Sequence, residues 1–241
     1  MTRKLRSHAF GKGEHNKSND KINLMMIYIH EHYREKISIP ELAAAYLSEM
    51  EKNMYHVSND IRSKKSAELI WQGMEKCLLE KSLDKVRITD IYQKSLVSRA
   101  TFYRLFDSAQ DVIAYECDCI YLQLAENMQA SHFNSRQEIF LFLIEEWLKQ
   151  DTLIKTLVEN NMISIIYDTH MKNHELLKQL FLEDISLSDG EANYLVSILA
   201  NIIPATVNTW YLHGRTETPK EIYLAVTHSL TIISKQLSKK K

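Results

Sequence analysis

Apolar residues recur at helical spacing along almost the whole 241-residue chain. Ile22, Met25, Met26, Ile29 and Tyr33 share one face of an amphipathic helix, and S-I-P-E at 38–41 opens another with a capping box and an early proline. A third helix is predicted over about 61–80, with Ala67, Ile70, Trp71, Met74 and Leu78 as its inner stripe. Further helices announce themselves by their caps. Ser108 with Asp111 opens a long helix to about 130, Ser135 with Glu138 opens the next, and Asp151 begins another. A helix is expected over 162–181. Ser188 with Glu191 then opens a long apolar stretch that Gly214 stops, and Thr218-Pro219 with Glu221 starts the last helix.

The last two of these helices are apolar on more than one face. Leu199, Trp210, Ile222, Val226, Leu230 and Ile233 are the residues expected to meet a second copy of the chain, giving a four-helix homodimer interface. Pro204 falls inside the first of the two helices, where it removes a backbone hydrogen bond and predicts a kink.

The stretch R-I-T-D-I-Y-Q-K-S-L-V-S-R-A-T-F-Y-R-L-F at 87–106 reads as two short helices around a turn. Thr89 is the expected cap of the first, Asp90 suits its first turn, and Ile91 points inward. Ser95-Leu96-Val97 forms the turn and Ser98 caps the second helix. Phe102 and Phe106 fall on its inner face, leaving Arg99, Thr101, Tyr103 and Arg104 on or near the outer one. Arginine bonds guanine edges or phosphate, and Thr and Tyr hydroxyls bond phosphate, so the outer face suits a DNA major groove. The same periodicity also fits an ordinary helical hairpin with exposed arginines.

Charge sharpens the picture. The chain carries a net charge of −1, but residues 61–106 hold 10 basic and 5 acidic side chains, while 107–241 hold 11 and 18. A basic segment coincident with the helical hairpin, joined to an acidic remainder, is the distribution of a DNA reader with a separate regulatory body. Lys64 and Lys65, near the start of the preceding helix, are placed to reach phosphates. With 5 Gly and 3 Pro the composition predicts an all-helical protein. No apolar run approaches the ~20 residues of a membrane span. No hydrophobic segment follows the basic N-terminus to make a signal peptide. Three cysteines without metal-finger spacing fit a reducing cytoplasm.

T-F-Y-R-L-F at 101–106, preceded by Thr89-Asp90-Ile91 and followed by the capped helix at Ser108, resembles the DNA-binding domain of the TetR family. The likeness is close over about 61–121 and looser beyond, where W-Y-L-H-G-R-T-E-T-P-K-E-I at 210–222 resembles the junction before the family's last helix. The resemblance implies a domain at 58–107 that reads a roughly palindromic double-stranded operator, and a helical regulatory and dimerisation domain at 108–241. It also implies an effector pocket in that body, for which Tyr115, Trp147, Tyr167, Asn201 and Asn208 mix aromatic walls with polar handles. Tyr92, Leu96, Ala100 and Ala109 depart from the family pattern, the last removing a lysine expected to contact phosphate. An alternative is therefore a TetR-like protein with a weakened reader that works through protein partners. Residues 1–57 form an extension whose segment 22–48 is similar to the first part of an AraC-type DNA-binding domain, without its recognition helix.

His170 and His174 lie four apart, but among 10 histidines that spacing arises readily by chance, and no metal site is assigned. Cys117 and Cys119, two apart on one helix, face opposite ways and are expected to pack rather than pair. No phosphate loop, H-E-x-x-H or G-x-S-x-G is present, so neither catalytic residues nor a cofactor are assigned. The expectation is a cytoplasmic transcriptional regulator, by family default a repressor, and not an enzyme.

Overall fold

The structure, a computed structural model, describes residues 55–239, which fall within one compact unit spanning 54–241. The AraC-like segment lies outside the described residues. Among those residues the protein is all-helical: α1 (Ile61–Leu78), α2 (Ile88–Ser95), α3 (Arg99–Leu105), α4 (Ala109–Ala130), α5 (Arg136–Leu148), α6 (Asp151–Glu159), α7 (Ser164–Lys172), α8 (His174–Leu182), α9 (Asp189–Leu212) and α10 (Pro219–Leu237). A single 3-10 turn, Leu83–Lys85, precedes α2.

The starts are fixed by local chemistry. Ser98, Ser108, Ser135, Ser188 and Thr218 each accept a hydrogen bond from the backbone N–H three residues on, as a capping side chain must. Asp111, Glu191 and Glu221 reach back to the backbone N–H of Ser108, Ser188 and Thr218 at 2.8–2.9 Å, completing the capping boxes. Thr89 is not a cap. The first helix of the hairpin begins two residues earlier than such a cap implies, at Ile88, and the Asp90 carboxylate accepts from Arg87 N at 2.9 Å.

The helix expected over 162–181 is broken at Asn173. The amide of Asn173 donates to Thr169 O at 2.9 Å, covering a carbonyl at the end of α7, and Tyr121 Oη donates to the Asn173 carbonyl at 3.2 Å. A side chain that caps its own helix, and a distant hydroxyl that holds the break, are not visible in periodicity.

One hydrophobic core runs from α1–α3 through α4 into the body, including Ile70, Met74, Phe102, Phe106, Ile113, Trp147, Leu157 and Val207. A smaller cluster of Leu177, Leu182, Val196 and Ala200 joins α8 to α9. Among the described helices α9 is long and apolar enough to cross a membrane by length and composition, with a mean hydropathy of 1.3, which exceeds what the sequence reading expected of any segment. It packs against α5, α6, α7, α8 and α10, and Val196, Ala200, Ile203 and Val207 are buried there. About a third of its apolar stretch, 33%, is buried in the protomer.

Candidate nucleic-acid interface

The hairpin owes its tightness to Gly73. A Cβ at this position of α1 would sit 2.7 Å from Ile91 O, Ser95 N and Ser95 Cβ, so only glycine lets α2 lie this close. Lys81 Nζ donates to Asp90 at 2.5 Å and Lys94 Nζ bonds Lys76 O at 3.1 Å, tying α2 to the end of α1 and the loop after it. The bond from Lys81, then that from Arg87 N, holds the Asp90 carboxyl below its ordinary range. Leu96 then turns the chain with φ 58° while 92% exposed. A leucine held there is strained by roughly 1 kcal/mol.

α3 is seven residues long. Phe102 and Leu105 face inward, with Phe102 tilted against Phe106 at 6.0 Å between ring centroids. Arg99, Ala100, Tyr103 and Arg104 are exposed, and Thr101 is half-buried with its hydroxyl 2.9 Å from Ser98 Oγ. The Arg99 guanidinium lies over the Tyr103 ring at 5.5 Å, which pre-orders both side chains on the outer face. Lys64 and Lys65 on α1 and Thr89 on α2 are exposed too, and Ala109 is the half-buried first residue of α4. Asp60, which caps α1, is held below its usual range by Ser58 foremost, and the positive charge of Arg104 contributes. The outer face of α3 thus offers cations and hydroxyls able to meet phosphates and base edges.

The residues just before α1, at the end of the 1–57 extension, tie this hairpin to the body. Tyr55 bridges Phe106, and His56 N bonds Leu105 O at 2.8 Å. Tyr55 Oη donates to Asp118 on α4 at 2.6 Å. The other Asp118 partners come from α7: Lys172 Nζ at 2.6 Å and Thr169 Oγ1 at 2.9 Å. Burial, then the bond to Asp118, pushes the Tyr55 hydroxyl upward. Sequence reasoning missed Tyr55, Gly73 and Asp118. A glycine inside a strong helical pattern was the one available signal.

The five residues expected to line an effector pocket are not brought together. Tyr115 packs edge-on against Tyr55 at 4.9 Å near the hairpin. Trp147 is fully buried in the core, its Nε1 without a hydrogen-bond partner, and Tyr167 meets Ser197 Oγ at 3.2 Å. Asn201 is exposed and donates to its own helix at Ser197 O, and Asn208 is half-buried. They come from four helices, α4, α5, α7 and α9, and of the five Tyr167 and Asn201 alone meet at a shared partner, Ser197. A cavity of about 230 Å³ opens instead between α5, α8, α9 and α10, lined by Phe140, Leu143, Leu177, Phe181, Leu199, Ile202, Ile203, Tyr223 and Leu230, with Arg136, Gln137 and Thr227.

Of the residues expected at a dimer interface, Ile222 is 6% exposed and belongs to the protomer's own core. Its position at the first turn of α10, beside α9, puts it on the inner face. Leu199 and Val226 are half-buried. Trp210 is half-buried as well, and its Nε1 donates to Glu217 O at 3.2 Å. Leu230 and Ile233 are exposed, as are Leu224, Ile232 and Leu237 on α10 and Tyr194, Ile198 and Leu212 on α9. A groove of about 410 Å³ runs between the two helices past Ala205, Thr209, Ala225 and Ser229.

His170 and His174 fall on separate helices and are engaged separately. His170 is buried with Nδ1 3.1 Å from Ala200 O, whereas His174 pairs with Glu175 at 2.9 Å. Cys117 is buried and Cys119 half-buried, and burial pushes both thiols up, Cys119 to about 11.

No family model matches the chain, and no curated protein matches it. Among solved structures it is similar to Lin0861 from Listeria innocua, with 17% identity, a TM-score of 0.59, and coverage of 75% of this chain and 100% of that one. At that identity the likeness shows shared fold alone: an all-helical architecture.

Proposed function

We propose that this protein is a TetR-like, DNA-binding transcriptional regulator, a repressor by family default, acting in the cytoplasm as a homodimer. The observation that carries the reading is α3. It is a short capped helix, anchored from behind by Phe102 and Phe106, that presents Arg99, Tyr103 and Arg104 outward within a segment of net charge +5 (10 basic, 5 acidic over 61–106). Lys64, Lys65, Thr89, Ser98 and Thr101 lie on or beside the same hairpin and would contribute backbone contacts. The exposed apolar residues of α9 and α10 supply a surface for a second copy, which would set two α3 helices about 34–36 Å apart on a roughly palindromic operator.

Control would come through the joint at Asp118. It accepts from Tyr55 beside the hairpin and from Lys172 and Thr169 in the body, so movement of α7 would be felt at Tyr55 and Phe106. A small molecule or partner that binds one arrangement of the body better would shift the spacing of the two readers. One observation favours a second reading, a body that works through protein partners with a weak reader: Ala109 leaves the start of α4 without a cation. Selection of random duplex DNA by the purified full chain, followed by sequencing of what is retained, separates the two. A regulator enriches a palindrome-like site; a protein-partner module enriches none.

A further inference from the structure

The cavity between α5, α8, α9 and α10 has a chemical polarity. Its walls are aliphatic and aromatic: Leu143, Leu177, Phe181 and Ile203, with Phe140 and Tyr223 set edge to face at 5.8 Å. Its polar lining groups are Arg136, Gln137 and Thr227. Thr227 is committed, because its hydroxyl donates to Tyr223 O at 2.8 Å. That leaves Arg136 and Gln137, neighbours in the first turn of α5, a turn whose own carboxylate, Glu138, is engaged by Asn134 N at 2.8 Å. Arg136 is half-wet at the rim and bonds Asp184 at 2.8 Å, a carboxylate that is itself 81% exposed. An exposed pair of this kind contributes little in water, so another carboxylate can take the guanidinium readily. At about 230 Å³ the cavity is smaller than the ~300–1,000 Å³ of drug-sized ligand sites.

The geometry points to a small apolar monocarboxylate as the ligand of this cavity, on the order of ten heavy atoms, with its hydrocarbon part among Leu143, Phe181 and Ile203 and its carboxylate on Arg136. Asp184 occupies the guanidinium when no ligand is bound. The proposal deepens the reading of the body as a sensing domain, and it identifies the chemistry sensed.

The test is calorimetric titration of the full chain, without DNA, with sodium octanoate, 1-octanol and octylammonium chloride. Octanoate binds best. Arg136→Gln weakens octanoate about tenfold or more and leaves 1-octanol unchanged. Asp184→Asn strengthens octanoate by freeing Arg136, which a merely structural arginine would not produce. Leu199→Trp, which narrows the cavity, abolishes binding of both octanoate and octanol, with melting curves of all variants showing a folded chain. Octylammonium binding as tightly as octanoate, equal loss of octanoate and octanol in Arg136→Gln, or no heat with octanoate up to its solubility overturns the proposal. Because DNA is absent, such a failure leaves the regulator reading standing, and failure of DNA selection leaves the cavity's chemistry standing.

Discussion

His170 supplies the hydrogen bond that Pro204 cannot. Inside α9 the carbonyl of Ala200 would accept from the N–H four residues on, but that residue is Pro204 and has no N–H. The imidazole of His170, from α7, lies with Nδ1 3.1 Å from Ala200 O, and since a carbonyl only accepts, Nδ1 carries the proton. A buried histidine four residues from another is thereby accounted for without a metal.

This pairing predicts a measurable coupling. His170→Phe should destabilise the chain by about 1–3 kcal/mol by orphaning a buried carbonyl. In a Pro204→Ala background the restored N–H takes over, and the same substitution should cost about 1 kcal/mol less. Urea melts of the four proteins check it; strictly additive losses would separate the two residues.

Stability should also depend on pH in two opposed windows. Burial lowers His170 from 6.5 to about 4, so between these values the unfolded chain binds a proton that the folded chain does not. That contribution is complete above pH 6.5 and is lost on acidification, by up to about 3 kcal/mol. Burial first, then the charges of Glu75 and Glu68, raises Glu116 from 4.5 to about 7. Its contribution is complete below pH 4.5 and is lost as pH rises to 7. His170→Phe should flatten the acid limb and Glu116→Gln the rise-to-neutral limb. Curves of both variants running parallel to the parent's across pH 4–8 would contradict the assignment.

Gly73→Ala should destabilise by about 1–3 kcal/mol despite the better helix propensity of alanine, because α2 must move off α1. Thermal melts read the loss directly. A Gly73→Ala variant more stable than the parent would mean that the close approach of the two helices is not needed.

For assembly, Leu230→Glu and Ile233→Glu together should give folded monomers by light scattering, because both residues are exposed in the protomer. Ile222→Glu should unfold the chain instead, being buried in the protomer's own core. An unchanged dimer mass in the folded double variant would move the interface elsewhere.

The parts of the fold legible in the sequence are those decided within a few residues. A serine or threonine followed three residues on by a carboxylate sets helix starts at Ser108, Ser188 and Thr218 with no help from tertiary structure. The same local logic placed Phe102 inward and Arg99, Tyr103 and Arg104 outward. What stayed hidden depends on distant partners. The break at Asn173 is held by Tyr121, the Asp118 joint assembles residues 63 and 54 positions away, and the role of His170 shows only with Ala200 and Pro204 beside it. Ile222 shows the same limit, since periodicity marks a residue as apolar-facing but not which of two faces belongs to the partner. The lining of the cavity is hidden for that reason too: Phe140, Phe181 and Tyr223 come from three helices whose packing no local pattern encodes.

The most direct test of the account is binding of a selected operator by an Arg99→Ala, Arg104→Ala double variant across a salt series. Both side chains are exposed, so the variant should melt like the parent, whereas Phe102→Ala should lose ~3–5 kcal/mol by opening a cavity. Each arginine that contacts phosphate should flatten the salt slope by ~1 when removed; each that reads guanine should relax one operator position at ~1–3 kcal/mol. The expected result is a folded variant whose operator binding is lost or reduced by these amounts. Operator affinity and salt dependence equal to the parent's would contradict it, and would take α3 out of the mechanism.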